Sequence, residues 1–160
     1  MTISGVTDGC FGSGCTGTSG STAALGNITF TDANFNGTIN NQGNINLGTF
    51  QLKTGGFQAY NSTFTLFLDF TAPVGITPDP QNFAASVTGE TTAGNNGQVI
   101  VNFSDSPFVF TYSGGTISLL LTDLTLLPNN AVQNLVGTFT VAAPVPAQSS
   151  VQVFPASCWL

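Results

Sequence analysis

Histidine is absent from this chain of 160 residues, and Lys53 is its only basic residue. The lack of histidine excludes Ser-His-Asp and Cys-His catalysis and histidine-ligated metal sites. A single basic side chain excludes ordinary binding to nucleic acids or to anionic membrane surfaces, because both need several Lys or Arg residues. The seven acidic residues follow no pattern that pairs two carboxylates as a glycosidase requires. We therefore expect no enzymatic activity and no cofactor.

Charge in general is scarce, and long apolar runs are missing. Charged residues make up 5% of the chain, against about 25% in a typical soluble protein. No apolar run reaches the ~18–20 residues that cross a bilayer, so no membrane span is expected. In place of charge the chain has 70 Gly, Ser, Thr and Asn residues, which favour turns and, for Thr, strands. Because 41% of the residues are hydrophobic, including 14 Phe, the chain is expected to fold rather than stay disordered.

Apolar and polar residues alternate along much of the chain, which indicates β-strands. Between Phe64 and Phe70, for example, four large apolar residues fall on one face and mainly polar residues on the other. Turns rich in Gly, Pro and Asn separate eight such segments, with no helical pattern between them. The predicted strands are Ile28–Phe35, Ile45–Leu52, Phe64–Phe70, Phe83–Thr88, Val99–Phe103, Phe108–Tyr112, Thr116–Thr125 and Val132–Val141.

This spacing predicts an all-β fold, an antiparallel β-sandwich of jelly-roll or Ig-like type with at least seven strands in two packed sheets. Phe67 alternates with Leu66, so we expect it to fill a pocket either between the sheets or between subunits. The predicted core contains Phe64, Leu66, Leu68, Phe70, Val99, Val101, Phe103, Phe110, Leu119, Leu121, Phe139 and Val141.

The two ends of the chain differ in composition from its centre. Residues 1–26 read as a Gly/Ser/Thr-rich arm, residues 27–141 as the β-sandwich domain, and residues 142–160 as a Pro-containing tail. Both ends are expected to be extended, and either could cover a groove or sheet edge on another copy. The candidate residues for such an assembly arm are Ile3, Val6, Phe11, Val151, Val153, Phe154 and Trp159.

The three cysteines, Cys10, Cys15 and Cys158, lie near the ends. In an oxidising compartment we predict at least one disulfide that uses Cys10 or Cys15, which leaves one thiol for another chain. Three unpaired thiols are the alternative. The spacing of Cys10 and Cys15 lacks the CxxC pairs and His partners of a zinc site, so no zinc is expected.

A weak calcium candidate begins at Asp32. Asp32, Asn34 and Asn36, followed by Gly37, match the oxygen ligands and glycine in the first half of a calcium loop. The twelfth position is Gly43, where such a loop needs a bidentate Glu. A polar strand that ends in a turn is therefore the favoured interpretation, and no metal is expected.

Three segments carry a family resemblance: FTLFLDFTAPVGI, FAASVTGETTAGNNGQVIVNFSDSPFVFTY and GTISLLLTDLTLLPNNAVQNLVGTFTV. Over about half of the chain they resemble the secreted β-rich domains of exosortase-sorted bacterial proteins, the PEP-CTERM class. The resemblance implies export and association with the cell surface, exopolysaccharide or biofilm matrix. The class ends in an apolar helix and a basic cluster, and neither follows VAAPVPAQSS here. Membrane sorting is therefore not expected.

These features lead to an expected role at the bacterial cell surface or outside the cell. The leading hypothesis is a structural subunit of a self-assembling fibre, sheath or biofilm matrix, whose copies are joined by strand addition and by disulfides. Two long ends that carry cysteine favour it, as does a surface with almost no lysine to guard sheet edges. A monomeric adhesin or polysaccharide-binding module is the alternative, and a sandwich domain of a larger exported protein is a third.

Overall fold

The computed structural model describes residues 1–17 and 22–144, and this part of the chain consists of β-strands and connections without a helix. Its twelve strands are β1 (Thr2–Phe11), β2 (Thr22–Leu25), β3 (Ile28–Thr31), β4 (Asn34–Thr38), β5 (Gln42–Leu52), β6 (Gln58–Ala72), β7 (Gln81–Thr92), β8 (Asn96–Asn102), β9 (Phe108–Tyr112), β10 (Gly115–Leu121), β11 (Leu124–Leu126) and β12 (Val132–Ala142).

The strands form two six-stranded sheets that pack against each other. Sheet A has the order β11-β8-β7-β6-β1-β4, and sheet B has the order β2-β3-β5-β12-β10-β9. Neighbouring strands are antiparallel throughout. The predicted all-β sandwich is therefore confirmed, with more strands than the minimum of seven.

Aromatic rings fill the space between the sheets. Phe11 and Phe64 from sheet A meet Phe30 and Phe50 from sheet B, with ring centroids 4.9 to 6.4 Å apart. Burying a Phe side chain contributes about 1.5–3 kcal/mol, so this cluster is a main source of stability. Of the twelve predicted core residues all are buried except Val141, which is half-buried and packs against the core.

Two of the predicted strands are split by a corner at which the chain passes from one sheet to the other. Residues 28–35 divide at Asp32 into β3 of sheet B and β4 of sheet A. Residues 116–125 divide at Asp123 into β10 of sheet B and β11 of sheet A. The Asp123 carboxylate accepts hydrogen bonds from the Phe103 N–H at 2.7 Å and the Asn102 amide at 2.9 Å. Asp123 is exposed and fixes a corner, in a region that the alternation predicts as one continuous strand.

The four edge strands are short. β4 and β11 border sheet A, β2 and β9 border sheet B, and none is longer than five residues. The edge of β9 is also covered, because Thr77 and Thr111 exchange two backbone hydrogen bonds of 2.8 Å and join their hydroxyls at 2.8 Å. Short or covered edges discourage pairing with another chain, so the scarcity of lysine does not leave long edges exposed.

The predicted division at residue 27 is wrong, because the N-terminal segment belongs to the sandwich. β1 is an interior strand of sheet A and β2 is the edge strand of sheet B. Composition misled here because β1 and β2 have few large side chains, although both strands pair with neighbours in the sheets. At the other end, β12 runs to Ala142, and the tail beyond residue 144 lies outside the described part of the chain.

Candidate functional site: the β1 groove and the cavity above it

The first strand of the chain fills a slot in sheet A that later segments form. β1 pairs with β6 from Ser4 to Phe11 and with β4 from Thr2 to Val6. We call the slot between β4 and β6 the β1 groove. Without a strand in it, the facing backbone groups of both β4 and β6 would lose their partners, which is costly for buried groups.

Glycines on β1 match the floor of the β1 groove. A Cβ atom on Gly9 would lie 2.8 Å from Cε2 of Phe64 and would also overlap the ring of Phe30. A Cβ atom on Gly5 would overlap the Asp69 carbonyl oxygen of β6 and would lie 2.9 Å from Cε1 of Phe35. These rings are buried and close-packed, so they have little freedom to move. The groove therefore accepts a strand that lacks side chains at these two positions.

Between the two glycines, Thr7 is one of the few buried polar side chains. Its hydroxyl donates to the Leu47 carbonyl at 2.9 Å and accepts from the Ala33 N–H at 2.9 Å. The Thr7 N–H also donates to the Ala33 carbonyl at 2.9 Å. Thr7 thus attaches β1 to the β3–β4 corner and to β5 of the opposite sheet. A residue without a hydroxyl would leave the Leu47 carbonyl and the Ala33 N–H without these partners.

Both ends of β1 are fixed. The N-terminal ammonium of Met1 donates to the Ile39 carbonyl at 2.7 Å, and the Ile39 N–H donates to the Met1 carbonyl at 2.8 Å. At the other end, Cys10 and Cys15 form a disulfide, with Cα atoms 5.7 Å apart. The predicted disulfide that uses Cys10 or Cys15 is therefore present in the structure.

The assembly-arm candidates of the N-terminal segment occupy different positions on β1. Ile3 is fully buried and Phe11 packs against the core, so both already fill pockets of their own sandwich. Val6 points to the opposite, outer face and is 42% exposed. The structure thus shows the segment in a groove, as expected of an arm, but the groove belongs to the same copy.

A cavity of about 200 Å³ lies above β1 and β6 on the outer face of sheet A. Phe67 forms one wall, and a Cβ atom on Gly17 would lie only 2.9 Å from its ring, so the segment after the disulfide covers it. Phe67 therefore lies outside the core, in a pocket of a single chain. The cavity is bordered by residues of β1, β6 and two connections: Val6, Thr7, Asp8, Thr16, Gly17, Phe67, Asp69 and Pro80.

Negative charge concentrates beside this cavity. Burial and the charge of Asp8 raise the pKa of Asp32 to about 6, and a hydrogen bond from the Gly9 N–H lowers it in part. One oxygen of Asp32, Oδ1, is buried and has no hydrogen-bond partner within the described residues. Lys53, the only basic residue, follows β5 of the other sheet and does not line the cavity.

The structure does not arrange the calcium candidates as a loop. Asp32 lies at the corner near Gly9, whereas Asn34 and Asn36 are exposed on the extended edge strand β4. An extended strand does not curl its side chains around one ion as a calcium loop does. Over residues 1–17 and 22–144 no cluster of three or more His, Cys, Asp or Glu residues could hold a metal.

The C-terminal candidates Val151, Val153, Phe154 and Trp159, together with Cys158, lie outside the described residues. Sequence reasoning missed three features of the site: the glycine gaps of β1, the role of Thr7 and the cavity beside Phe67. The alternation of Ile3, Gly5, Thr7, Gly9 and Phe11 was a possible signal, because its period is two even though two members have no side chain.

Comparison of the chain with protein-family models, with curated proteins and with solved structures gives no match. Within the described ranges no helix has the length and apolarity needed to cross a membrane.

Proposed function

We propose that the protein is an extracellular structural subunit that self-assembles when β1 of one copy fills the β1 groove of the next. The observation that carries the proposal is the fit between β1, which has glycine at positions 5 and 9, and the aromatic rings under the β1 groove. Every contact that β1 makes within its own copy can be made by the β1 of another copy. Exchange of an identical element is a low-cost route to assembly, and a head-to-tail exchange that does not close gives a filament.

The connection after β1 sets how far the strand can be donated. The Cys10–Cys15 disulfide keeps residues 10–15 with β1, so residues 16–21 join it to β2. Six extended residues span about 20 Å. That reach suits two sandwiches in direct contact, so we expect a close-packed fibre or sheath in preference to a loosely linked chain.

Three further points support this role. The short edge strands favour exchange of an interior strand over pairing at an edge. A disulfide is typical of an oxidising compartment, in agreement with a location outside the cell. The resemblance to PEP-CTERM-class domains favours the surface or biofilm matrix of a bacterium. We propose no catalytic role.

Strand exchange can be tested with two variants of the full chain that each carry one added cysteine. Ser4 of β1 faces Asn36 of β4 on the outer side of sheet A. Ser4→Cys and a mass-tagged Asn36→Cys, each with Cys158→Ser, are unfolded, refolded together at high concentration and oxidised. If β1 is exchanged, a disulfide-linked heterodimer forms between the two populations. If β1 stays in its own copy, no disulfide forms between the Ser4→Cys and Asn36→Cys proteins.

A matched control uses two facing residues that exchange of β1 does not separate. Gln42 of β5 faces Thr140 of β12, and both are exposed. Mixed Gln42→Cys and Thr140→Cys populations, in the same background, should give no heterodimer in either arrangement. Equal heterodimer yields from the test and control pairs would mean random collision and would contradict strand exchange.

The alternative is a monomeric adhesin or polysaccharide-binding module, and the cavity beside Phe67 is the observation that favours it. Sedimentation separates the two functions. A protein that remains monomeric at high concentration, with no heterodimer in the cysteine test, would contradict self-assembly and favour the binding module.

A further inference from the structure

The walls of the cavity above β1 and β6 combine an aromatic ring with two carboxylates. Val6 faces Asp69 and Asp8 faces Phe67 in the β1–β6 register. Asp8 and Asp69 are therefore diagonal neighbours on one sheet face, where Cα atoms are about 7–8 Å apart. A group between them can approach both carboxylates and the ring of Phe67, while Val6 and Pro80 supply apolar walls.

The two carboxylates and the aromatic ring favour a positively charged ligand. The chain provides no basic side chain to the cavity, so the charge of Asp8 and Asp69 favours a cation from outside and repels an anion. Phe67 lines the cavity, and an aromatic ring attracts a cation placed over it. A calcium ion prefers six to eight oxygen ligands, which a cavity walled by Val6, Phe67 and Pro80 does not offer. An organic cation fits better because its apolar body can contact those walls.

The size of the cavity limits the ligand further. A volume of about 200 Å³ suits one small group, such as an alkylammonium chain or a single sugar ring, better than a folded peptide segment. We propose that the cavity binds a protonated primary amine, carried by an alkylamine or by an amino sugar, with the ammonium near Asp8 and Asp69 and the body of the ligand against Phe67.

The inference does not depend on the proposed assembly. The cavity has the same composition whether β1 comes from its own copy or from a neighbour, since the register of β1 against β6 is the same. Failure of the strand-exchange test therefore leaves the cavity proposal standing, and failure of the binding test leaves the assembly proposal standing.

Titration of the full chain, followed by NMR chemical shifts, tests the ligand class. Glucosamine and butylamine are compared with the neutral N-acetylglucosamine and butanol near neutral pH. We expect weak binding of at least one amine, with a Kd of about 1 mM, and no binding of its neutral counterpart. Raising the ionic strength from about 0.01 M to about 1 M shortens the Debye length from about 30 Å to about 3 Å and should abolish the binding. The relative affinity of the two amines distinguishes the amino sugar from the alkylamine.

Three variants locate the binding. Asp69→Asn should weaken amine binding roughly threefold to fivefold, the size of an exposed ion pair. Phe67→Leu, which keeps an apolar side chain without a ring, should weaken it roughly twofold to fivefold. Asp105→Asn removes the same charge from an exposed residue between β8 and β9 that does not line the cavity, and should have no effect. Circular dichroism melts check that each variant is folded. Equal binding of the neutral ligands, or equal effects of Asp69→Asn and Asp105→Asn, would overturn the proposal.

Discussion

Strands β1 and β12 are both interior strands of their sheets, yet only β12 is predicted from the sequence. β12 turns large residues such as Leu135 and Phe139 toward the core. β1 turns Gly5 and Gly9 toward it, and rings from other strands occupy the space that side chains would have filled. The core-facing positions of a strand can therefore be occupied by glycines as well as by large apolar residues, and both give a pattern with a period of two.

The largest expected difference between β1 and β12 is the cost in stability of replacing a glycine. Gly9→Ala forces a Cβ into the buried rings of Phe30 and Phe64, and we expect a loss of about 3 kcal/mol in the free energy of unfolding. In β12, a Cβ on Gly137 meets Cδ1 atoms of Leu47 at 2.6 Å and Leu119 at 2.8 Å, which are flexible ends. Gly137→Ala should therefore cost only about 1 kcal/mol. Chemical denaturation measures both, and equal costs would contradict the idea that rigid rings define the β1 groove.

The disulfide is a second difference, since it fastens β1 and β12 has no counterpart within the described residues. Replacing Cys10 and Cys15 with Ser should lower the free energy of unfolding by about 2 kcal/mol, the chain-entropy value for a short loop. Thermal melts of the double variant, compared with a Cys158→Ser control, measure this loss. In freshly isolated protein a maleimide should not label Cys10 and Cys15 until the disulfide is reduced. Full labelling before reduction would show that the disulfide does not form.

The alternation of large residues was enough to predict the sandwich, eight strand regions and most of the core. It worked from Phe64 to Phe70 because both faces of β6 carry side chains of distinct polarity. It failed at the corners, where the parity of the buried positions changes, from Phe30 to Phe35 at the first corner and from Leu121 to Leu124 at the second. Each predicted strand ran across that change. The cavity could not be predicted at all, since Asp8, Phe67 and Pro80 meet only through the register of β1 against β6 and the path of two connections.

The two corners differ in the same way, because one is hydrogen-bonded to β1 and the other to β12. Ala33 of the first corner is bonded to Thr7 of β1, and Thr122 of the second donates to the Val136 carbonyl of β12 at 3.1 Å. Asp123 accepts two hydrogen bonds, one of them from the Phe103 backbone. Asp123→Ala leaves that N–H without its partner and should cost about 1.5 kcal/mol. Urea denaturation measures the loss, and a change below about 0.3 kcal/mol would show that the corner does not need the carboxylate.

The corresponding aspartate beside β1 should behave in the opposite way. Burial and the neighbouring Asp8 raise the pKa of Asp32 from 3.8 to about 6, so the folded state holds this proton more tightly than the unfolded chain does. Stability from this group is complete below pH 3.8 and is lost as the pH rises through about 6. Asp32→Asn keeps an acceptor for the Gly9 N–H and removes the charge. After allowance for solvent screening, we expect the variant to be about 1 kcal/mol more stable than the natural chain at pH 7.

The advantage of Asp32→Asn should vanish below pH 3.8, where the natural side chain is protonated. Thermal melts of both proteins across this range give the difference at each pH. Asp105→Asn is the control, because it removes one charge from an exposed site and should give no such pH-dependent gain. A variant less stable than the natural chain at pH 7 would show that the Asp32 charge supports the corner, as the Asp123 carboxylate does, and the contrast between the two corners would then disappear.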